Sequence, residues 1–122
     1  MITAIDHFVI TTGDIQKTSE FYKILGFRFE EKNGKYNLYS DNFKISLHGP
    51  NSTATPVATH VQKGSVDICF RTTKALKEIK EYLINHNINI EVDEVQREGF
   101  NGPMTSIYIK DPEGNLIEIS KY

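Results

Sequence analysis

Four strand-like segments of the sequence each carry a histidine or a carboxylate opposite a hydrophobic row. These residues are His7, His48, Asp67 and Glu118. Side chains alternate between the two faces of a strand, so Ile117 and Ile119 point one way and Glu118 points the other. Imidazole and carboxylate groups are ligands of divalent metals, and open metal sites use three or four of them. The pattern predicts a metal site if the fold brings these faces together.

Each of the four residues also has a structural interpretation. A lone Glu in an alternating strand usually lies on a solvated face, and Glu118 could do so. His7 could be a hydrogen-bonded structural residue, and His48 could simply be exposed at a strand end. Asp67 could cap or pair locally. Spacing alone leaves the metal site and the structural interpretation open.

The elements that position these residues repeat after about 60 residues. The order strand, helix and three strands is predicted twice, in modules 1–49 and 64–122, which a polar linker at 50–63 joins. If a helix covers one face of each four-stranded unit, the other two faces can meet around a shared cavity. The sequence therefore predicts an α+β fold, in which two βαβββ modules form a curved mixed sheet around a cavity.

Local signals place the boundaries of these elements. Asp14 is a good helix N-cap, Gly26 is typical of a helix end, and Asn33-Gly34 is a strong hairpin signal. Strands are predicted at 3–11 and 88–95, a mobile Gly-rich loop at 99–102 and a turn at 111–114. A second helix is predicted to be capped by Thr72 or Thr73, with an apolar stripe at Leu76, Ile79, Tyr82 and Leu83.

Composition excludes several classes of protein. The chain has 122 residues, a net charge of −2 and a single cysteine, Cys69, which cannot form an internal disulfide. The charge gives no reason to expect nucleic acid or an anionic membrane as a partner. There is no run of 18 apolar residues and no signal-peptide pattern at the N-terminus. A reducing, cytoplasmic compartment is the expectation.

Two longer motifs resemble a known family. The opening IDHFVITTGDIQKTSEFYKILGF and the closing IYIKDPEGNLIEIS resemble signatures of the vicinal oxygen chelate superfamily, the glyoxalase/bleomycin-resistance/dioxygenase fold. The segments KISLHGP, GSVDICF and REGFNGPMTSIYIKDPEGN resemble its branch of small glyoxalase-domain-containing and virulence-associated proteins. The resemblance implies a single domain over 1–122 and a homodimer in which modules from two chains complete each cavity.

The resemblance also implies a ligand set for one divalent metal ion per site. His7 and Glu118 match the ligands of the first and last strands. The third ligand falls on Asp67, and the fourth falls on Ser46, with His48 two residues later on the same face as the alternative. Zn²⁺, Ni²⁺, Mn²⁺, Fe²⁺ and Mg²⁺ all suit such a set.

In this superfamily the metal chelates two neighbouring oxygens of a small substrate. Either Glu118 or Asp67 could then serve as the catalytic base of a glyoxalase-like lyase or isomerase. His7, His48 and Glu118 alone would form a two-histidine, one-carboxylate set, which suits a ring-cleaving dioxygenase.

Three further residues flank the predicted loop at 99–102 and are expected to contact the substrate: Arg97, Ser106 and Tyr108. Arg97 could equally be a solvated loop charge. The alternative to an enzyme is a non-catalytic protein that binds a drug or metabolite, as bleomycin-resistance proteins do. His7 and Glu118 favour the enzyme.

Overall fold

The computed structural model describes all residues from Met1 to Tyr122, in two compact units, Met1–Gly64 and Ser65–Tyr122. The first unit, the N-terminal module, contains β1 (His7–Thr11), α1 (Ile15–Ile24), β2 (Arg28–Lys32), β3 (Lys35–Tyr39) and β4 (Lys44–His48). The second unit, the C-terminal module, contains β5 (Asp67–Arg71), α2 (Leu76–Asn85), β6 (Val92–Gly99), β7 (Gly102–Lys110) and β8 (Leu116–Lys121). The predicted α+β class and the doubled order of strand, helix and three strands are confirmed.

Each module is built on one mixed four-stranded sheet. The strand orders are β1-β4-β3-β2 and β5-β8-β7-β6. In both sheets the first strand pairs in parallel with the last, and the remaining pairs are antiparallel. β4 and β8 therefore each have a neighbour on both sides, which fixes the side chains that surround every residue on them.

One face of each sheet forms the hydrophobic core of its module. In the N-terminal module Ile10, Leu38 and Ile45 have no exposed surface, and neither has Tyr22 of α1. In the C-terminal module the buried row consists of Ile107, Ile109, Ile117 and Ile119, to which α2 adds Leu76 and Leu83. Burial of each such side chain contributes roughly 1.5–3 kcal/mol. Neither α1 nor α2 combines the length and the apolar character that a membrane-crossing helix requires.

The predicted signals in the N-terminal module act as expected. The Asp14 side chain accepts a hydrogen bond from the backbone N–H of Lys17 at 3.0 Å and caps α1. Gly26 follows the helix with a φ of +104°, a conformation that favours glycine. Asn33 and Gly34, with φ of 53° and 74°, form the two-residue turn between β2 and β3.

The start of one strand and the start of one helix were predicted wrongly. β1 begins at His7 rather than at residue 3, because β4 begins at its partner Lys44 and offers no strand to pair with residues 3–5. α2 begins after Ala75, because the Thr72 hydroxyl accepts from the backbone N–H of Lys74 in a local turn instead of capping the helix.

The apolar stripe predicted for α2 is shorter in the structure. Leu76 and Leu83 are buried, but Tyr82 is 45% exposed. The Tyr82 ring packs against the ring of His86, which lies one helical turn later, and the two ring centroids are 4.2 Å apart. Tyr82 therefore lies beside the core rather than in it.

The strand predicted at 88–95 and the mobile loop predicted at 99–102 were also placed wrongly. β6 starts at Val92 and continues to Gly99, which pairs directly with Gly102 at the start of β7. The connection is a tight hairpin, and Gly102 has a φ of +111°. The Tyr122 hydroxyl accepts from the backbone N–H of Asn101 at 2.9 Å and holds the hairpin end.

Candidate functional site

In each sheet the face opposite the buried row is called here the open face of its module. On the N-terminal open face, His7 pairs with Lys44, and His48 pairs with Thr11. Four residues therefore separate His7 from His48 along the strand direction, a distance of about 13 Å at ~3.3 Å per residue. The structure does not bring the two histidines together. The two-histidine set considered for a dioxygenase conflicts with this register.

The His7 ring is oriented by its neighbour in the chain. The ring nitrogen Nδ1 lies 2.7 Å from Oδ1 of Asp6. The hydrogen bond and the charge of His7 hold the pKa of the Asp6 carboxyl below its usual value, so Asp6 is an acceptor and Nδ1 donates. This leaves Nε2 of the exposed ring for another partner. A carboxylate bound to the second ring nitrogen is the usual support of a metal-binding histidine.

The C-terminal open face brings two predicted ligands near each other. Glu118 pairs with Cys69 of β5 on one side and with Tyr108 of β7 on the other. Asp67 lies two residues before Cys69, so it is a diagonal neighbour of Glu118 on the same face. Asp67 is exposed, while Glu118 is half-buried. Both carboxylates thus face the same side of adjacent strands.

Two serine hydroxyls hold the Glu118 carboxylate. Ser106 donates to Oε2 at 2.6 Å, and the Ser120 hydroxyl lies 3.0 Å from the same oxygen. Neither serine has any exposed surface. All of these bonds go to Oε2, which leaves Oε1 for a ligand. Ser106 therefore positions Glu118, and its contact with a substrate stays a prediction.

Arg97 and Tyr108 form a pair beside Glu118. Arg97 Nε donates to the Tyr108 hydroxyl at 2.9 Å, and its guanidinium lies 5.5 Å from the centre of the Tyr108 ring. Arg97 belongs to β6 and not to a loop. Contacts of both residues with a substrate stay predictions, and Tyr108 is the nearer to Glu118 because the two are paired across β7 and β8.

The shared register of the two modules identifies the position equivalent to Glu118. His7 and Asp67 are the first residues of β1 and β5, and Glu118 is the third residue of β8. The third residue of β4 is Ser46, and His48 is the fifth. Since β4 and β8 occupy the same place in their sheets, Ser46 and not His48 stands where Glu118 stands. The equivalent positions therefore hold His7, Ser46, Asp67 and Glu118.

Neither module by itself contains three His, Cys, Asp or Glu side chains placed to hold a metal ion. The donor chemistry nevertheless fits one. His7 offers an imidazole nitrogen supported by Asp6, and Glu118 offers an oxygen supported by Ser106. One imidazole and two carboxylates suit a divalent ion that accepts nitrogen and oxygen ligands.

Two supporting residues were missed in the sequence. Ser120 lies two residues after Glu118 on the same strand face, so alternation could have identified it. Asp6 immediately precedes His7, and no periodic signal marks a contact between neighbours whose geometry depends on where the strand begins.

The pKa of the Cys69 thiol depends in part on the charge of Glu118. The Cys69 sulfur lies 3.1 Å from the Ser120 hydroxyl. Desolvation raises the pKa of the Cys69 thiol, the hydrogen bond with Ser120 lowers it, and the Glu118 carboxylate raises it again. The net effect is a pKa above the ordinary thiol value, although the residue is exposed.

We expect the Glu118→Gln substitution to lower the pKa of the Cys69 thiol, because it removes the negative charge that opposes thiolate formation. In metal-free protein the pH profile of Cys69 alkylation should therefore move to lower pH. Glu78→Gln on the exposed surface of α2 is the matched control and should leave the profile unchanged. A profile unmoved by Glu118→Gln would contradict this electrostatic coupling.

The sequence matches known proteins over nearly its whole length. Residues 4–119 match the Glyoxalase/Bleomycin resistance protein/Dioxygenase superfamily. The chain belongs to this superfamily. Virulence protein STM3117 of Salmonella typhimurium is 39% identical over 124 residues, which cover 100% of this chain and 86% of that protein. A glyoxalase domain-containing protein of Mycosarcoma maydis is 37% identical over 99% of this chain and 69% of its own length.

Solved structures of other proteins show the same fold. An integron cassette protein from the mobile metagenome of V. cholerae has a TM-score of 0.95 at 37% identity, over 100% of this chain and 97% of that one. A lactoylglutathione lyase from Agrobacterium tumefaciens has a TM-score of 0.75 at 23% identity, over 99% and 95% of the two chains, and shares the fold alone. The family predicted from the two end motifs is confirmed.

Proposed function

We propose that the protein is a divalent-metal-dependent lyase or isomerase of the glyoxalase type that acts on a small oxygenated metabolite. One observation carries the proposal. His7 and Asp67 occupy equivalent open-face positions of two modules with the same register, and Glu118 lies on the open face of the strand next to Asp67. A solvated charge on each strand would not need that equivalence.

The protein's own residues each have a defined task in this proposal. His7, oriented by Asp6, provides Nε2, and Glu118, held by Ser106, provides Oε1. When bound, the divalent ion would chelate two neighbouring oxygens of the substrate and stabilise negative charge that develops on them. Asp67, exposed at the start of β5, would be the third ligand and would also accept or return the proton at the adjacent carbon.

We also propose that the working form is a homodimer. A three-ligand site needs residues from both modules, since neither module holds three ligands alone. The open face of the N-terminal module is incompletely covered, with Val9 39% exposed on the same strand face as His7. Light scattering should give twice the 13.9 kDa chain mass. A monomer at micromolar concentration would contradict this arrangement.

Metal analysis of the purified protein tests the proposed function. We expect one Mn²⁺, Fe²⁺, Ni²⁺, Zn²⁺ or Mg²⁺ per chain after loading and dialysis, and a large loss in a His7→Gln variant. His60→Gln, in the exposed linker, is the matched control and should retain the metal. A protein that takes up no divalent ion near neutral pH would contradict the proposal and favour a non-catalytic binding protein. Methylglyoxal–thiol adducts and catechols, offered to the loaded protein, would separate a lyase from a dioxygenase.

A further inference from the structure

A cavity of about 890 Å³ lies over the open face of the N-terminal module and is lined by that module alone. Its floor consists of β1, β4 and β3, and its wall is the segment 49–56. At its start the wall passes close to α1, since a Cβ on Gly49 would lie 3.0 Å from the Ile15 side chain. Ser52 then forms a turn, with its backbone N–H donating to the Gly49 carbonyl at 3.2 Å. The volume suits a small metabolite.

The cavity lining contains two lysines and no carboxylate. The lysines are Lys35 and Lys44, the imidazoles of His7 and His48 lie beside them, and no Asp or Glu is among the lining residues. Neither lysine forms a salt bridge, since the ion pairs of this module are His7–Asp6 and Arg28–Glu30. The Lys44 charge contributes to the lowered pKa of Asp6, but that carboxylate is bound to His7. The cavity therefore presents positive charge without a matching anion.

Several neutral groups of the cavity can donate hydrogen bonds. At the centre of the floor, the Ser46 hydroxyl donates to Oδ1 of Asn37 at 3.0 Å, which turns the Asn37 Nδ2 amide outward as a donor. Ser52 and Thr53 of the wall add hydroxyl groups. Donors arranged around ammonium groups in a partly enclosed site are the environment that a carboxylate or phosphate oxygen requires.

We infer that this cavity binds the anionic group, a carboxylate or a phosphate, of a small molecule, with Lys44 as its main contact. Lys44 is the register partner of His7 on the same face, so an anion on Lys44 lies next to the proposed metal ligand. Ser46, at the position equivalent to Glu118, is the next residue after Lys44 on this strand face and adds no negative charge there. That the anion belongs to the substrate rests on the proposed function, whereas anion binding itself does not.

Titration of the metal-free protein with inorganic phosphate and, separately, with acetate tests the inference. We expect millimolar binding of at least one of them, seen as shifts of backbone amide NMR signals in β3, β4 and 51–55. Lys44→Ala should weaken binding by about tenfold, because a charge-assisted hydrogen bond is lost. Lys44→Arg should restore most of it, and Lys74→Ala in the C-terminal module should leave it unchanged.

The results of these titrations test anion binding separately from the proposed metal-dependent function. Binding of phosphate alone or of acetate alone would identify the anionic group, and binding of both would support a general anion site. The inference is overturned if neither anion shifts the cavity amides, if neutral glycerol shifts them equally, or if folded Lys44→Ala binds as tightly as the native protein. Because no metal is present, failure to bind a divalent ion would count against the proposed function and not against this site.

Discussion

The Glu118→Gln substitution is expected to weaken divalent-metal binding by at least about 100-fold while leaving the fold intact. Loss of residues that merely support a ligand costs 10–100-fold in affinity, and loss of an ionised ligand should cost more. The substitution removes the negative charge and places an amide in its position. Activity on any substrate found by screening should fall with the metal, because the proposed function requires the bound ion.

The fold should survive because the hydrogen bonds that hold Glu118 need only an acceptor. The side-chain oxygen of Gln can accept from Ser106 and Ser120 as Oε2 does in the native protein. Calorimetric titration with Mn²⁺ and Zn²⁺ measures the affinity, and thermal unfolding of the metal-free variant checks the fold. Glu78→Gln, on the exposed surface of α2, is the control. A Glu118→Gln protein that binds within threefold of the native affinity would exclude Glu118 as a ligand.

Much of the fold could be predicted because local signals and tertiary structure agree. Asp14, Gly26 and Asn33-Gly34 act through contacts within a few residues, so their neighbours in sequence reveal them. The wrong boundaries depend on partners that are distant in sequence. β1 can begin only where β4 begins, and the loop predicted at 99–102 becomes a hairpin because Gly99 pairs with Gly102 and Tyr122 binds its end.

The sequence predicted the strand face on which each candidate site residue lies, but not its position relative to residues on the neighbouring strands. Alternation assigns a residue to a face of a strand, which is why His7, His48, Asp67 and Glu118 all lie on open faces. Alternation does not tell which residue of the neighbouring strand each residue lies beside, because only the pairing register fixes that. His48 is therefore on the expected face but about 13 Å from His7 by strand rise, at the same end as Thr11.

The register also changes the interpretation of Ser46. As a departure from the family pattern, the serine looks like a missing ligand. In the structure it is paired with Val9, next to the His7–Lys44 pair, and its hydroxyl is bound to Asn37. A small neutral residue there keeps the cavity floor free of negative charge. The same replacement that reduces the ligand count thus suits the anion site inferred above.

The second large effect is expected from Asp111→Ala, which should destabilise the protein by about 3 kcal/mol without touching the proposed ligands. Asp111 is 5% exposed, and its Oδ1 accepts from the backbone N–H groups of Glu113 and Asn115 at 3.0 and 2.9 Å. Its Oδ2 accepts from Nδ2 of Asn115 at 2.8 Å. Alanine would leave these donors without their acceptor, and Asn115 is buried.

The loss should spread beyond the turn because Asn115 continues the network. Asn115 Oδ1 accepts from the backbone N–H of Val66 at 2.9 Å, immediately before β5, while the turn itself leads into β8. Asp111 therefore ties together the starts of the two strands that carry Asp67 and Glu118. Thermal unfolding should show a midpoint lowered by about 10 °C. Asp41→Ala, in the exposed turn before β4, is the control and should change stability by less than about 0.5 kcal/mol.

Asp111→Asn distinguishes the acceptor role of this residue from its charge. Asparagine keeps one acceptor oxygen for the backbone N–H groups but turns a donor toward Asn115, so an intermediate loss of stability is expected. Metal affinity of the folded fraction should fall modestly in both variants, because the strand starts are less well held. An Asp111→Ala protein with an unchanged midpoint would show that the turn forms without its carboxylate.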